Sequence, residues 1–346
     1  MNRFILRIPV MMCLCLCTGI AQAQNFDKAG EYMEYITKAQ TELSAKYLSY
    51  MSAASHGKRM KLVEKKRNDV ISSIDATRMK IFAMPTFKND KSLRDSAVNY
   101  LKLMYSVFNE DYGKIVDMEA IAEQSYDLME AYLLAKEKAN ERLQEASDKY
   151  GEVQKDFAGN NNITLIDAQT DLDKKLAAAS AISEYYDKVY LIFFKANRQE
   201  TYLLNALKEN NTNAIEQNRN ALVKCSNEGI EKLKQLKGYE NDKSLEAVCR
   251  KTLDFYKDEA EKKVPVLSDF IISKENFEEI KKAFDASSQK TKEAVNNYNK
   301  TIKDLNKGTE NYNAMNQQLN GNRSSIIDSY NNSVNSFMDM HMPYSN

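Results

Sequence analysis

Asn89-Asp90-Lys91-Ser92-Leu93 recurs as Asn241-Asp242-Lys243-Ser244-Leu245, 152 residues further along the chain. The register holds on both sides of that string. Arg67-Asn68 falls on Arg219-Asn220, Val70-Ile71 on Leu222-Val223, Leu101 on Leu253, Ile115 on Leu267, Leu143 on Val295 and Val153 on Leu305. A shift of 153 pairs Glu31-Tyr32-Met33-Glu34 with Glu184-Tyr185-Tyr186-Asp187. Two unrelated amphipathic stretches would match apolar with apolar, but would not readily reproduce a five-residue turn. The expectation is a duplication, with one unit over 24–158 and a second over 159–346 that carries a C-terminal helical extension.

Each unit divides by apolar spacing into about four helices, so the fold class expected is all-α, an elongated helical bundle of two duplicated units. The first helix spans about 30–53, with Tyr32, Ile36, Ala39, Leu43, Tyr47 and Tyr50 on one stripe, and its counterpart spans about 171–209. Second helices are expected over 59–84 and 212–237. Asp90 and Asp242 then stand where a carboxylate can accept first-turn amides of the third helices. Gly113 aligns with Pro265, and both interrupt helices, so a shared bend is expected there. Long, coiled-coil-like fourth helices follow over about 119–158 and 275–320. Gly159-Asn160-Asn161-Asn162 closes the first unit, because Gly and Asn tolerate the left-handed conformation that ends helices. Tyr185 through Phe194 leaves almost no polar face, which predicts a helix covered on most sides where the two units meet. Tyr298, Leu305, Tyr312, Leu319 and Ile326 recur every seven residues, a seam expected to pack on the chain's own helices rather than on a second copy.

The first residues bear on compartment. Arg3 and Arg7 precede an apolar run over 8–20, and Ala21-Gln22-Ala23 suits a signal peptidase, so residues 1–23 are expected to be a signal peptide. The rival reading makes Cys17 a lipid-modified terminus, but bulky Leu16 fits that cleavage poorly. No later stretch has the roughly 20 apolar residues of a spanning helix. Without Arg3 and Arg7 the 49 basic residues become 47 against 49 acidic, a near-neutral balance that argues against nucleic acid as a partner. Beyond the leader only Pro85, Pro265 and Pro343 remain of four prolines, which suits long helices.

Chemistry is signalled mostly by what is missing. His56 and His341 are the only histidines and tryptophan is absent. The usual nitrogen and sulfur metal sites lack ligands, and there is no phosphate-cradling glycine loop. No catalytic, cofactor or metal residues are therefore assigned. Three local features carry sharper readings. His56, Lys58, Arg59, Lys65 and Lys66 form a basic strip that the second unit lacks, an anion or acidic-glycan contact set against the plainer reading of a solvated face. Met338-Asp339-Met340-His341-Met342 has the soft donors Cu(I) prefers, although methionine near a helix end more often packs. Cys225 and Cys249, equidistant from the turn between two antiparallel helices, are expected to form a disulfide after export, with buried free thiols as the alternative.

Tyr32-Met33-Glu34-Tyr35-Ile36, Ser55-His56-Gly57-Lys58, Asn109-Glu110-Asp111-Tyr112, the 115–140 stretch, Tyr190-Leu191-Ile192-Phe193-Phe194 and His341-Met342-Pro343 resemble a family of uncharacterised helical surface proteins of Gram-negative bacteria. The resemblance covers nearly the whole chain beyond the leader. It implies export to the periplasm or cell surface and an all-helical fold, and it carries no activity, ligand or site residue. The leading expectation is a structural or interaction protein whose partner is another envelope protein or an acidic glycan. A binding module for a small apolar or anionic ligand near Phe193 comes second. An enzyme comes last, since its mechanism would rest on dispersed carboxylates, lysines or tyrosines.

Overall fold

A computed structural model describes residues 26–111, 122–165 and 170–345, and over them the chain is helical with no strand. Residues 1–23, Gly113 and Ile115 lie outside the described residues. The first set of helices comprises α1 (Ala29–Ser55), α2 (Met60–Phe82), α3 (Ser92–Ser106) and α4 (Tyr126–Asn160). The second comprises α5 (Asp171–Lys208), α6 (Thr212–Gln235), α7 (Ser244–Asp258), α8 (Val264–Ala286) and α9 (Lys292–His341). Polar caps fix several starts. Ser125 accepts from the Leu128 amide at 3.2 Å, Asn211 from Ala214 at 3.1 Å and Thr291 from Ala294 at 3.2 Å, while Thr170 and Asp173 close a reciprocal capping box at α5. Asn162, with φ +53°, takes the left-handed conformation just beyond α4.

Backbone geometry recurs with the sequence register. Lys88 and Asn89 have φ of 48° and 68°, and Glu240 and Asn241 have 47° and 71°. Phe87 pairs with Asp90 across that turn as Tyr239 pairs with Asp242. Asp90 accepts the Ser92 amide at 2.8 Å and Asp242 the Ser244 amide at 2.7 Å. One π-helical turn then follows each third helix, over Val107–Asp111 and over Glu259–Lys263. Pro265 does not end a helix. It sits in the first turn of α8, where its missing N–H costs nothing, and the π-turn just before it changes the helical course.

The fourth helices depart from the 152-residue register. Phe157 of α4 packs on Tyr32 and Phe87 at 5.9 and 5.7 Å between ring centroids. Its counterpart in the second set is Phe337 of α9, which packs on Tyr185 and Tyr239 at 5.5 and 6.1 Å. Tyr150 and Tyr330 correspond likewise. The offset between matching residues is thus 180 here against 152 earlier, 28 residues more, and the stretch between the two registers folds as a helical hairpin. The helix expected over 275–320 is therefore two antiparallel helices, broken after Ala286 and restarted at Lys292. Ring contacts close the hairpin: Phe284 on Tyr298 at 4.3 Å, Phe277 on Tyr298 at 5.9 Å and Phe270 on Tyr312 at 4.7 Å. Tyr298 and Tyr312 of the heptad series thus pack on the chain's own α8. At 1.5 Å per residue, α9 is about 75 Å long.

The core is built around α5. It packs against α1 and α4 on one side and against α6 and α7 on the other. Phe193 stacks on Tyr330 of α9 at 3.8 Å, while Phe194 joins Ala122 and Met129. Close approach of α5, α6 and α7 requires Gly229, where a Cβ would lie 2.9 Å from Leu253 and 3.0 Å from Ile192. Lys136 of α4 also meets Asp187 of α5 at 2.7 Å. Phe193→Ala should cost about 3–5 kcal/mol in urea-induced unfolding. Phe82→Ala, at an exposed site, should stay within about 0.5 kcal/mol. Equal effects would remove α5 from the centre of the core.

Candidate functional site

The second π-turn carries a buried ionic cluster drawn from three elements. Glu259 opens the turn and is 0% exposed, Glu200 comes from α5 and Arg323 from α9. Arg323 Nε lies 2.8 Å from Glu200 Oε1, and its Nη2 donates to Glu259 Oε1. One turn back on α7, Tyr256 accepts a hydrogen bond from Asn197 Nδ2 at 2.9 Å. Burial pushes the Glu200 carboxyl above its ordinary value, and the Arg323 charge offsets only part of that. Burial also lowers the Arg323 guanidinium, against the pull of Glu200, and raises the Tyr256 phenol. Two carboxylates share one guanidinium, and Glu259 Oε2 has no hydrogen-bond partner. Fully ionised, the cluster would leave one net negative charge in the core, which costs several kcal/mol.

The first set of helices carries different residues at the three equivalent positions, although Arg67 also reaches that turn, at the Phe108 carbonyl 3.2 Å away. By the offsets above, Tyr47 stands for Glu200, Val107 for Glu259 and Leu143 for Arg323. Val107 is 0% exposed and packs with Leu143, while Tyr47 meets Phe108 edge-on at 5.3 Å. Three residues that are uncharged at neutral pH stand at the first π-turn and three ionisable ones at the second. The ions are thus not a requirement of the turn. Two of the three were visible in the sequence, since the 152 and 153 shifts already set Glu259 against Val107 and Glu200 against Tyr47. Arg323 was not, because its partner emerges only in the 180 register.

Two members of the basic strip, His56 and Lys66, have partners within the chain. The His56 ring stacks on Tyr344 at 3.9 Å, and its Nδ1 is 2.7 Å from the Ser52 carbonyl. Lys66 Nζ donates to Ser49 Oγ of α1 at 2.5 Å, while Lys58, Arg59 and Lys65 are exposed. The C-terminal segment covers this corner, with the Ser345 amide 3.3 Å from Ser52 Oγ. The Met338 to Met342 donors also diverge, as α9 turns Met338 inward and Met340 outward and His341 Nε2 holds Asp242 Oδ2 at 2.8 Å. Burial works against ionisation of Asp242, but His341 and the Ser244 amide outweigh it and hold the carboxyl below its ordinary value. Among the described residues no cluster of His, Cys, Asp and Glu suited to a metal ion is found.

The disulfide expectation is corrected: Cys225 and Cys249 are buried free thiols. Equal height on α6 and α7 does not make them face one another, because α5 lies in the crook between those helices and both thiols turn toward other groups. Cys225 Sγ donates to the Leu222 carbonyl at 3.4 Å and lies beside Lys195 and Glu228, whereas Cys249 Sγ points to the Val189 carbonyl of α5 at 4.0 Å. Burial pushes the two thiols up to about 11 and about 12. At pH 8 neither cysteine should react with a thiol reagent in the folded protein, and both should react on unfolding without reductant. Peptide mapping of the alkylated chain checks this, and a linked Cys225–Cys249 fragment would contradict it.

Comparison with protein-family models, with curated proteins and with solved structures returned no match for this chain.

Proposed function

We infer that this chain is an exported structural or interaction protein of the Gram-negative envelope, which acts by contact through the arm formed by α8 and α9. One observation carries the reading. No residue between 272 and 318 is buried, although both helices run on through that span. Phe277, Phe284, Val295, Ile302 and Leu305 are only partly covered along the hairpin. A two-helix seam leaves part of its apolar stripe open, and a helical partner in the groove would complete it. The leader-like residues 1–23 and the family resemblance support export, and the repeated turn and π-turn support duplication of a unit over 24–158 into 159–346. On this reading the 28 added residues gave the second unit its contact element. No helix among the described residues is long and apolar enough to cross a membrane.

A second reading is favoured by a groove of about 440 Å³ between Tyr126 of α4 and helices α5 and α6. Its floor holds Leu191, Ile192 and Cys225, with Lys188, Lys195 and Lys232 among its other lining residues. This arrangement suits a small anionic amphiphile at the junction of the two units. The leading reading is tested by placing a photo-crosslinking amino acid at Lys282 or Asn297 on the arm, or at Lys149 on exposed α4, in the native cell. Envelope adducts are expected from the arm and not from α4, on a chain whose N-terminus is Gln24. A cytoplasmic chain with residues 1–23 intact, or an arm that yields no adduct, would overturn it.

A further inference from the structure

The ionic cluster lies where the arm leaves the body. Glu259 opens the π-turn that leads into α8, Arg323 lies one turn beyond Leu319 on α9, and Glu200 belongs to central α5. Ile271 on α8 and Leu319 on α9 are the last buried residues before the arm. Arg323 therefore ties the base of α9 both to α5 and to the π-turn that leads into α8, with one positive charge for two carboxyl groups. We propose that Glu200, Glu259 and Arg323 form a proton-operated latch: one proton held by the carboxyl pair keeps the arm base closed, and its loss loosens that base.

In the first set Tyr47, Val107 and Leu143 occupy the equivalent three positions, and none of them ionises between pH 5.5 and pH 8.5. In the second set, one guanidinium neutralises one carboxylate. The other must be protonated or stand as an uncompensated buried charge, and Glu259 Oε2 has no donor to stabilise it. Neighbouring groups do not supply the missing cation. Tyr256 on α7 is an uncharged phenol that already accepts from Asn197 of α5. Arg219 of α6, which packs on the π-turn, is held by Glu216 at 2.5 Å. On the turn itself Lys262 is drawn to Asp258 on the exposed side.

The direction of the pH effect follows from linkage. A carboxyl whose folded value lies above its unfolded value of 4.5 gains a proton on folding. Its contribution is full below the unfolded value and is lost as pH rises through the folded one. The latch therefore opens toward alkaline pH.

Amide hydrogen exchange of the full chain at pH 5.5 and pH 8.5, corrected for the intrinsic pH dependence of exchange, reads the latch directly. Protection over 259–271 and 319–326 should fall at least tenfold at pH 8.5, while protection in α6 stays unchanged. The triple variant Glu200→Tyr, Glu259→Val, Arg323→Leu, which copies the first set, should remain protected at both pH values. If that variant does not fold, Glu200→Gln leaves Arg323 paired one to one with Glu259 and should likewise abolish the fall. Both histidines are common to all three proteins, so their titration cancels. Wild-type protection that ignores pH, or a fall that persists in the folded variant, would overturn the proposal.

Discussion

Burial of α5 on both sides is the constraint from which the rest of this architecture follows. A helix that is apolar around most of its circumference cannot rest on a single layer. Tyr185, Val189, Phe193 and Phe194 are all buried, and they meet α9 and the start of α4 as well as the neighbouring α6 and α7. The two sets of helices consequently share one central element. Leu48 of α1 belongs to the core cluster of the second set. The Lys136 to Asp187 contact lies on that shared boundary, where partial burial makes an ion pair worth more than it would be in water.

Around that helix the same backbone path is traced twice with different chemistry inside it. The turns at Lys88-Asn89 and Glu240-Asn241 have the same left-handed torsions, and the π-turns follow at equal distances. Side chains do not follow so closely. Arg94 reaches the Met84 carbonyl, whereas Glu246 at the matching position accepts from the Tyr185 hydroxyl. Gln40 meets Tyr150 through a hydrogen bond where Phe193 meets Tyr330 by stacking. At the π-turns the contrast is greatest, because burying Tyr47, Val107 and Leu143 desolvates no charge, whereas the ionic trio costs several kcal/mol. Backbone hydrogen bonding accounts for the shared turns, and it does not account for the charges.

Helix existence and most helix ends were legible in the sequence because they rest on local chemistry. Thr170 with Asp173, Asn211 and the Asn-Asp-Lys-Ser turns each satisfy or redirect the backbone within a few residues. The observed α5 and α6 accordingly begin at the expected residues. The helix expected over 275–320 differs from the structure for the opposite reason, whereas α4 lies close to its expected span. The register that sets Val153 on Leu305 and the one that sets Phe157 on Phe337 both match apolar with apolar, and spacing alone does not say which stretch of a long helix lies against Tyr185 and Tyr239. The orientation of the thiols escaped the sequence in the same way. Sequence distance placed Cys225 and Cys249 at one height, but the position of α5 decided where they point, and the return of the C-terminal segment over His56 closed that corner.

The sequence by itself determined the all-helical class, the recurring turn and the nearly all-apolar central helix, since torsional preference, capping and periodicity act over a few residues and survive without tertiary context. Only the tertiary structure decided that Glu200, Glu259 and Arg323 meet, that α8 and α9 form an arm and that the thiols stay apart. Those outcomes depend on which helices become neighbours. That is set by the packing of whole apolar faces, and the residues brought together by it are separated by 59 and 64 positions along the chain.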